Sequence, residues 1–119
     1  MADLPACAKP CADCPWRRDA PIGHFPAEAF RRLAASAYDM NETLFQCHST
    51  DDGRPLTCAG FLERGADHNL TVRMAYLRGN LDLRDRSGGQ TLYDDFVEMA
   101  IANEVEPEDE ALAPCRRNI

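Results

Sequence analysis

A chain of 119 residues with 45% hydrophobic side chains can bury one apolar core but not two, which excludes a multidomain machine and disorder throughout. Twenty acidic residues against 13 basic ones, 12 of them Arg, leave a formal net charge of -7. That balance opposes a generic nucleic-acid coat, because loose binding to a phosphate backbone needs the opposite sign.

The opening residues, Met1 to Cys7, have neither the basic segment nor the long apolar run of a secretory signal. No later stretch approaches the roughly 18 apolar residues of a membrane span. The expectation is a cytoplasmic protein with no membrane contact. Six cysteines in so short a chain then need an explanation, and in a reducing compartment metal binding is a better one than disulfides.

In chain order, Cys11-Ala12-Asp13-Cys14 comes first, a Cys-x2-Cys knuckle whose turn can aim two sulfurs and several backbone amides at one ion. From Pro26, a first-turn proline, the residues Phe30, Leu33, Ala34 and Ala37 fall at helical spacing. Leu44 to Cys47 and Pro55 to Cys58, separated by Asp51-Asp52-Gly53, read as a short β-hairpin carrying one cysteine on each arm. Asn69 to Leu77, closed by Gly79, repeats the helical pattern through Leu70, Met74 and Leu77. A helix beginning at Thr91, with Asp94 as its capping partner, shows the clearest amphipathic face in Leu92, Phe96, Met99 and Ala100. Five of the seven residues from Glu104 to Glu110 are acidic, as in a solvated tail or linker.

These elements predict a small α+β fold: one α-rich domain over residues 1-119, with an irregular, metal-stapled half at about 7-60. A helical half follows at about 61-105, and an acidic tail at 104-119. Cys47 and Cys58 on the hairpin complete a four-thiolate set with Cys11 and Cys14. Zinc suits that set, since four sulfurs at about 2.3 Å satisfy its tetrahedral preference and leave no open position. A [4Fe-4S] cluster also takes four thiolates, and Pro15 after Cys14 matches the end of the bacterial ferredoxin run.

Around the set, Trp16 is placed to shield the site from water and Arg17 and Arg18 to offset its negative charge. His48, next to Cys47, is placed to donate a hydrogen bond to a sulfur. Cys7 is the alternative ligand, and Cys115 reads as a spare thiol in the tail. His24 and His68 read as exposed or capping residues. Asp67-His68-Asn69, after a cysteine-bearing hairpin, resembles the histidine-metal finger nucleases, although no second histidine cluster follows His68.

Pro10 to Asp19, then Phe45-Gln46-Cys47-His48, then Cys58-Ala59-Gly60 resemble a family of small bacterial and phage-borne proteins classed as a domain of unknown function. The resemblance implies that Cys11, Cys14, Cys47, His48 and Cys58 act as a unit in a phage or mobile-element setting, and it names no substrate. The function expected is therefore a non-enzymatic metal-binding module that engages a protein partner through a basic patch on that partner. Iron-sulfur redox or sensing is the first alternative, and metal-dependent nuclease activity the second.

Overall fold

The computed structural model describes residues 4–12, 14–47, 56–82 and 84–117. Four α-helices lie among them: α1, Ala27–Leu33; α2, Ala59–Arg64; α3, Leu70–Leu77; and α4, Phe96–Ala102. A 3-10 turn, Ala34–Ala37, continues α1 along the stripe that the apolar spacing predicts.

Helix α3 begins where its sequence pattern places it. Asn69, fully buried, caps it by accepting from the Val72 N–H at 3.1 Å, and its amide donates to the Thr43 carbonyl at 2.6 Å. Helix α4 begins later than the pattern from Thr91 suggests. Tyr93 N–H donates to the Trp16 carbonyl at 2.9 Å and Arg18 N–H to the Thr91 carbonyl, so residues 91–93 are drawn out as an extended partner of the segment after the knuckle. The cap is Asp95, which accepts from Glu98 N–H at 2.9 Å, while Glu98 reaches back to Asp94 N–H at 2.8 Å in the manner of a capping box. Helix α2 follows directly after Cys58 in a stretch where only six residues turn, too few to display a periodic signal.

The β component is smaller than an α+β fold implies. Among the described residues it consists of isolated bridges, and no strand forms. Thr57 lies at the centre of two of them, parallel with Ala6 and antiparallel with Gln46. Cys47 N–H donates to the Leu56 carbonyl and Cys58 N–H to the Phe45 carbonyl, so the two arms of the expected hairpin do pair; its turn lies outside the described residues.

The core is organised on Trp16, which has no exposed surface. Phe45 and Phe96 meet its ring edge-on at 5.8 and 6.1 Å, and Phe45 stacks on Phe61 at 6.2 Å. Each such ring contributes about 1.5–3 kcal/mol by burial. Two glycines let the indole lie against α2: a Cβ on Gly60 would stand 2.4 Å from Trp16 Cβ, and one on Gly65 would stand 2.6 Å from Trp16 Cη2.

The C-terminal segment is not a free tail. Val105, Leu112 and Cys115 are buried, Cys115 bridges Tyr38, and Arg116 N–H donates to the Ala37 carbonyl. The Tyr38 hydroxyl donates to the Ala111 carbonyl at 2.7 Å, and Arg117 pairs with the buried Asp95 at 2.8 Å. The charge pattern is amphipathic: Glu104, Glu106, Glu108 and Glu110 face solvent while apolar residues between and beyond them seal the end of α1 against the core. Among the described residues, no helix is long and apolar enough to cross a membrane.

Candidate functional site

Five of the six cysteines gather where the knuckle, the Thr57 bridges and the start of α2 converge. The knuckle closes with Cys14 N–H donating to the Cys11 carbonyl at 3.1 Å, and Arg17 N–H then donates to the Cys14 carbonyl. Bridge pairing fixes the remaining positions. Ala6 and Gln46 both align with Thr57, so the next residues, Cys7 and Cys47, fall on the opposite face of the bridged segments with Cys58.

Two sulfur pairs result, each joining the knuckle to the paired arms. Cys14 and Cys58 stand 3.5 Å apart in the interior, and Cys11 and Cys47 stand 4.0 Å apart nearer the surface. Among the described residues, no group of three or more Cys, His, Asp or Glu side chains is arranged to hold a metal ion.

The two thiols of the interior pair are shifted in opposite directions. Hydrogen bonding from Cys58 pulls the Cys14 thiol below its ordinary pKa against the opposing effect of burial, and the N–H groups of Trp16, Gly60 and Arg17 reinforce it. Cys58 moves the other way, well above its ordinary value, because it holds the proton for Cys14 and is buried next to that sulfur. The first-turn N–H groups of α2, those of Gly60 and Phe61, have no carbonyl acceptor within the helix and point at these sulfurs instead. Backbone N–H bonds of this kind favour the charged form of a thiol.

Cys7, left outside the four-residue set by its spacing, belongs to the cluster. Its thiol hydrogen-bonds to Cys47, and burial together with that contact pushes its pKa up to about 12. Its backbone is clamped on both sides: Cys7 N–H donates to the Thr57 carbonyl at 3.0 Å, and its carbonyl accepts from Arg86 Nη1 at 2.9 Å. Arg86 is only 4% exposed and also pairs with Asp82 at 2.9 Å. Nothing in the sequence distinguishes this arginine from the eleven others.

Trp16 lies in the same buried apolar cluster as Cys14 and Cys58, and its backbone N–H is directed at the Cys14 sulfur. Its indole N–H is buried without a partner among the described residues. Arg17 lies close enough to Cys14 and Cys11 for their charges to raise its pKa, though less than its hydrogen bond to Asp19 does; it also donates to the Cys11 carbonyl at 3.3 Å. Arg18 does not serve the sulfurs: it donates to the Leu92 carbonyl, pairs with Glu98 and lies 5.1 Å over the Tyr93 ring, tying the knuckle to α4. His48 lies outside the described residues.

Cys115 sits apart, under the 3-10 turn. Burial, with Asp95 next, raises its pKa to about 11, and its Sγ is 3.6 Å from the Ala34 carbonyl, the environment of a small buried hydrophobe. His24 is exposed with its ring edge-on to Phe25 at 4.7 Å. Of the Asp67-His68-Asn69 trio, the His68 carbonyl accepts from Met40 N–H and Asn69 serves as the buried cap of α3.

A sequence model for DUF6283, described as a family of unknown function, matches residues 6–116. The chain belongs to this family. The match runs from the Ala6 bridge to the Arg116 backbone contact, so it takes in the knuckle, both paired arms and the C-terminal seal. No curated protein and no solved structure matches the chain.

Proposed function

We propose that this DUF6283 protein is a small non-enzymatic module in which Cys11, Cys14, Cys47 and Cys58 hold one structural zinc ion. The observation that carries this reading is the pairing of those four sulfurs at 3.5 and 4.0 Å. In a tetrahedron with zinc–sulfur bonds of about 2.3 Å, adjacent sulfurs are about 3.8 Å apart. The two separations bracket that edge, so each pair fits half of a four-thiolate site, and coordination would draw the halves onto one ion. In a [4Fe-4S] cluster each thiolate binds its own iron, which spreads the sulfurs farther apart and makes this spacing a poorer match. The backbone N–H groups aimed at Cys14 and Cys58 would offset the charge of the occupied site.

The exposed Glu104, Glu106, Glu108 and Glu110 support a protein partner with a basic patch, steered by charge and released at high salt. The zinc reading is tested by elemental analysis and visible spectroscopy of protein purified without oxygen. Colourless protein with equimolar zinc is expected, retained by Cys115→Ser and lost by serine substitution of each of the four ligands. Brown protein absorbing near 400 nm (on the order of the cluster bands) would replace zinc by iron-sulfur. Absence of metal, with no rise in melting temperature on adding zinc, would remove the metal reading altogether.

A further inference from the structure

Leu4 and Ala6 form one wall of a cavity of about 320 Å³ whose other wall is the loop after α3. Thr57 occupies one edge of this N-terminal segment, where its N–H donates to the Pro5 carbonyl and its carbonyl accepts from Cys7 N–H. The opposite edge faces the loop: Leu4 N–H donates to the Asn80 carbonyl at 3.0 Å, and Ala6 N–H, turned to the same side, makes no hydrogen bond among the described residues. Two arginines line the same cavity. Arg84 Nε and Arg86 Nη2 each take one oxygen of the Asp82 carboxylate, at 3.0 and 2.9 Å. The Asp82 side chain is 61% exposed, whereas that of Arg86 is 4% exposed. Arg86 Nη1 is spent on the Cys7 carbonyl, and its Nε is buried with no partner among the described residues. Buried donors are normally paired, so this guanidinium is short of one acceptor.

We infer that this cavity binds a small organic carboxylate, which displaces Asp82 from Arg84 and Arg86. Asp82 itself shows that a planar carboxylate fits between the two guanidinium forks, and its exposed side chain can turn into solvent when another carboxylate arrives. Two guanidinium groups against one carboxylate make the site locally positive on a chain of net charge -7. Ala6 N–H supplies an unspent backbone donor beside them. The cavity is larger than a carboxylate group alone, and Leu4 and Leu81 in its lining give a short hydrocarbon body an apolar surface to lie against. The site involves none of the cysteine sulfurs, so it stands whether or not they hold a metal.

The test is a nuclear magnetic resonance titration of isotope-labelled full-length protein with sodium butyrate at constant ionic strength, repeated with inorganic phosphate and with sodium chloride. Butyrate should shift the Ala6 amide and Arg86 Nε–H signals along a saturating curve, and chloride should leave both in place. Arg84→Gln, at an exposed side chain, should weaken butyrate binding about tenfold through loss of one charge-assisted hydrogen bond. Asp82→Asn should tighten it, because the competing carboxylate is gone; a merely damaged fold would not give that result. The wild-type titration needs no variant, so a substitution that fails to fold still leaves the binding itself decided. No saturating shift at Ala6 and Arg86, tighter binding of phosphate than of butyrate, or unchanged or weaker butyrate binding by folded Asp82→Asn would overturn the inference.

Discussion

Replacing Gly60 by Ala tests whether the indole of Trp16 sets the spacing between the knuckle and α2. Gly60 lies inside α2, where alanine on an open helix face stabilises by about 0.5–1 kcal/mol through lower backbone entropy in the unfolded chain. Here the new Cβ would stand 2.4 Å from Trp16 Cβ and 2.7 Å from Cγ, atoms next to the backbone that cannot swing aside. Overpacking of this kind costs about 1–3 kcal/mol, so the net effect is a loss of about 1–2 kcal/mol, opposite in sign to the helix preference. Gly65→Ala, at the C-cap with Trp16 Cη2 at 2.6 Å, gains less from helix preference and should lose a similar amount.

Trp16 is the only tryptophan and fully buried, so its fluorescence reports unfolding directly. With a urea slope of about 1–1.5 kcal/mol/M, the midpoint should fall by about 1 M for each variant. Circular dichroism extends the measurement to Trp16→Phe, whose shorter ring retreats from Gly65 but keeps the atoms facing Gly60. The Gly65→Ala cost should therefore shrink in that background while the Gly60→Ala cost persists. An unchanged or raised midpoint for Gly60→Ala would refute the packing argument.

Arg86→Met removes the guanidinium that holds the Cys7 carbonyl and Asp82, leaving a carbonyl unpaired; a loss of about 1–3 kcal/mol in urea titrations is expected, and Arg86→Lys should not restore it, because one ammonium cannot span both partners. Cys115, ordinarily near 9.0 and raised to about 11 in the fold, keeps its proton in the native state after the unfolded chain has lost it. Its contribution is therefore complete below pH 9 and lost as pH rises toward 11, on the order of 2–3 kcal/mol. Cys115→Ala should flatten that part of the stability profile measured by chemical denaturation, and an unaltered slope between pH 9 and 11 would count against burial as the cause.

Local signals were legible in the sequence wherever the chain obeys its own neighbours. Asn69 capping α3 and the run from Pro26 into the 3-10 turn are set by residues three and four apart, which a periodic pattern records. Thr91 to Tyr93 broke that rule because their N–H and carbonyl groups are claimed by Trp16 and Arg18, more than 70 residues earlier. The acidic run misled for a related reason: charge marks the outer face of residues 104–110, while Val105 and Leu112 alone carry the inner one. In the cluster, the knuckle and the two cysteines beside the paired arms were legible by spacing. Cys7 was not, since its place depends on a single parallel bridge from Ala6 to Thr57 that no hairpin rule anticipates.

That bridge also explains why so much of the chain can do without regular structure. Residues 4–26 and 41–58 contain no helix among those described, and isolated bridges supply only one or two hydrogen bonds at a time. Isolated pairings of that kind are marginal in water, so these segments depend on the contacts that cross between them. The sulfur pairs are such contacts, spanning 44 residues from Cys14 to Cys58 and 36 from Cys11 to Cys47. A covalent or metal cross-link over loops of that length removes on the order of 3–4 kcal/mol of unfolded-state entropy, comparable to burying one or two aromatic rings. The helical half has the aromatic core to hold it; the other half reaches that core through Trp16 and Phe45, with Cys14 and Cys58 in the same cluster. A tie at the sulfurs therefore adds to what Trp16 and Phe45 hold, and its loss should loosen the segments around the half-buried Cys7 and Cys11 before it reaches α3 or α4.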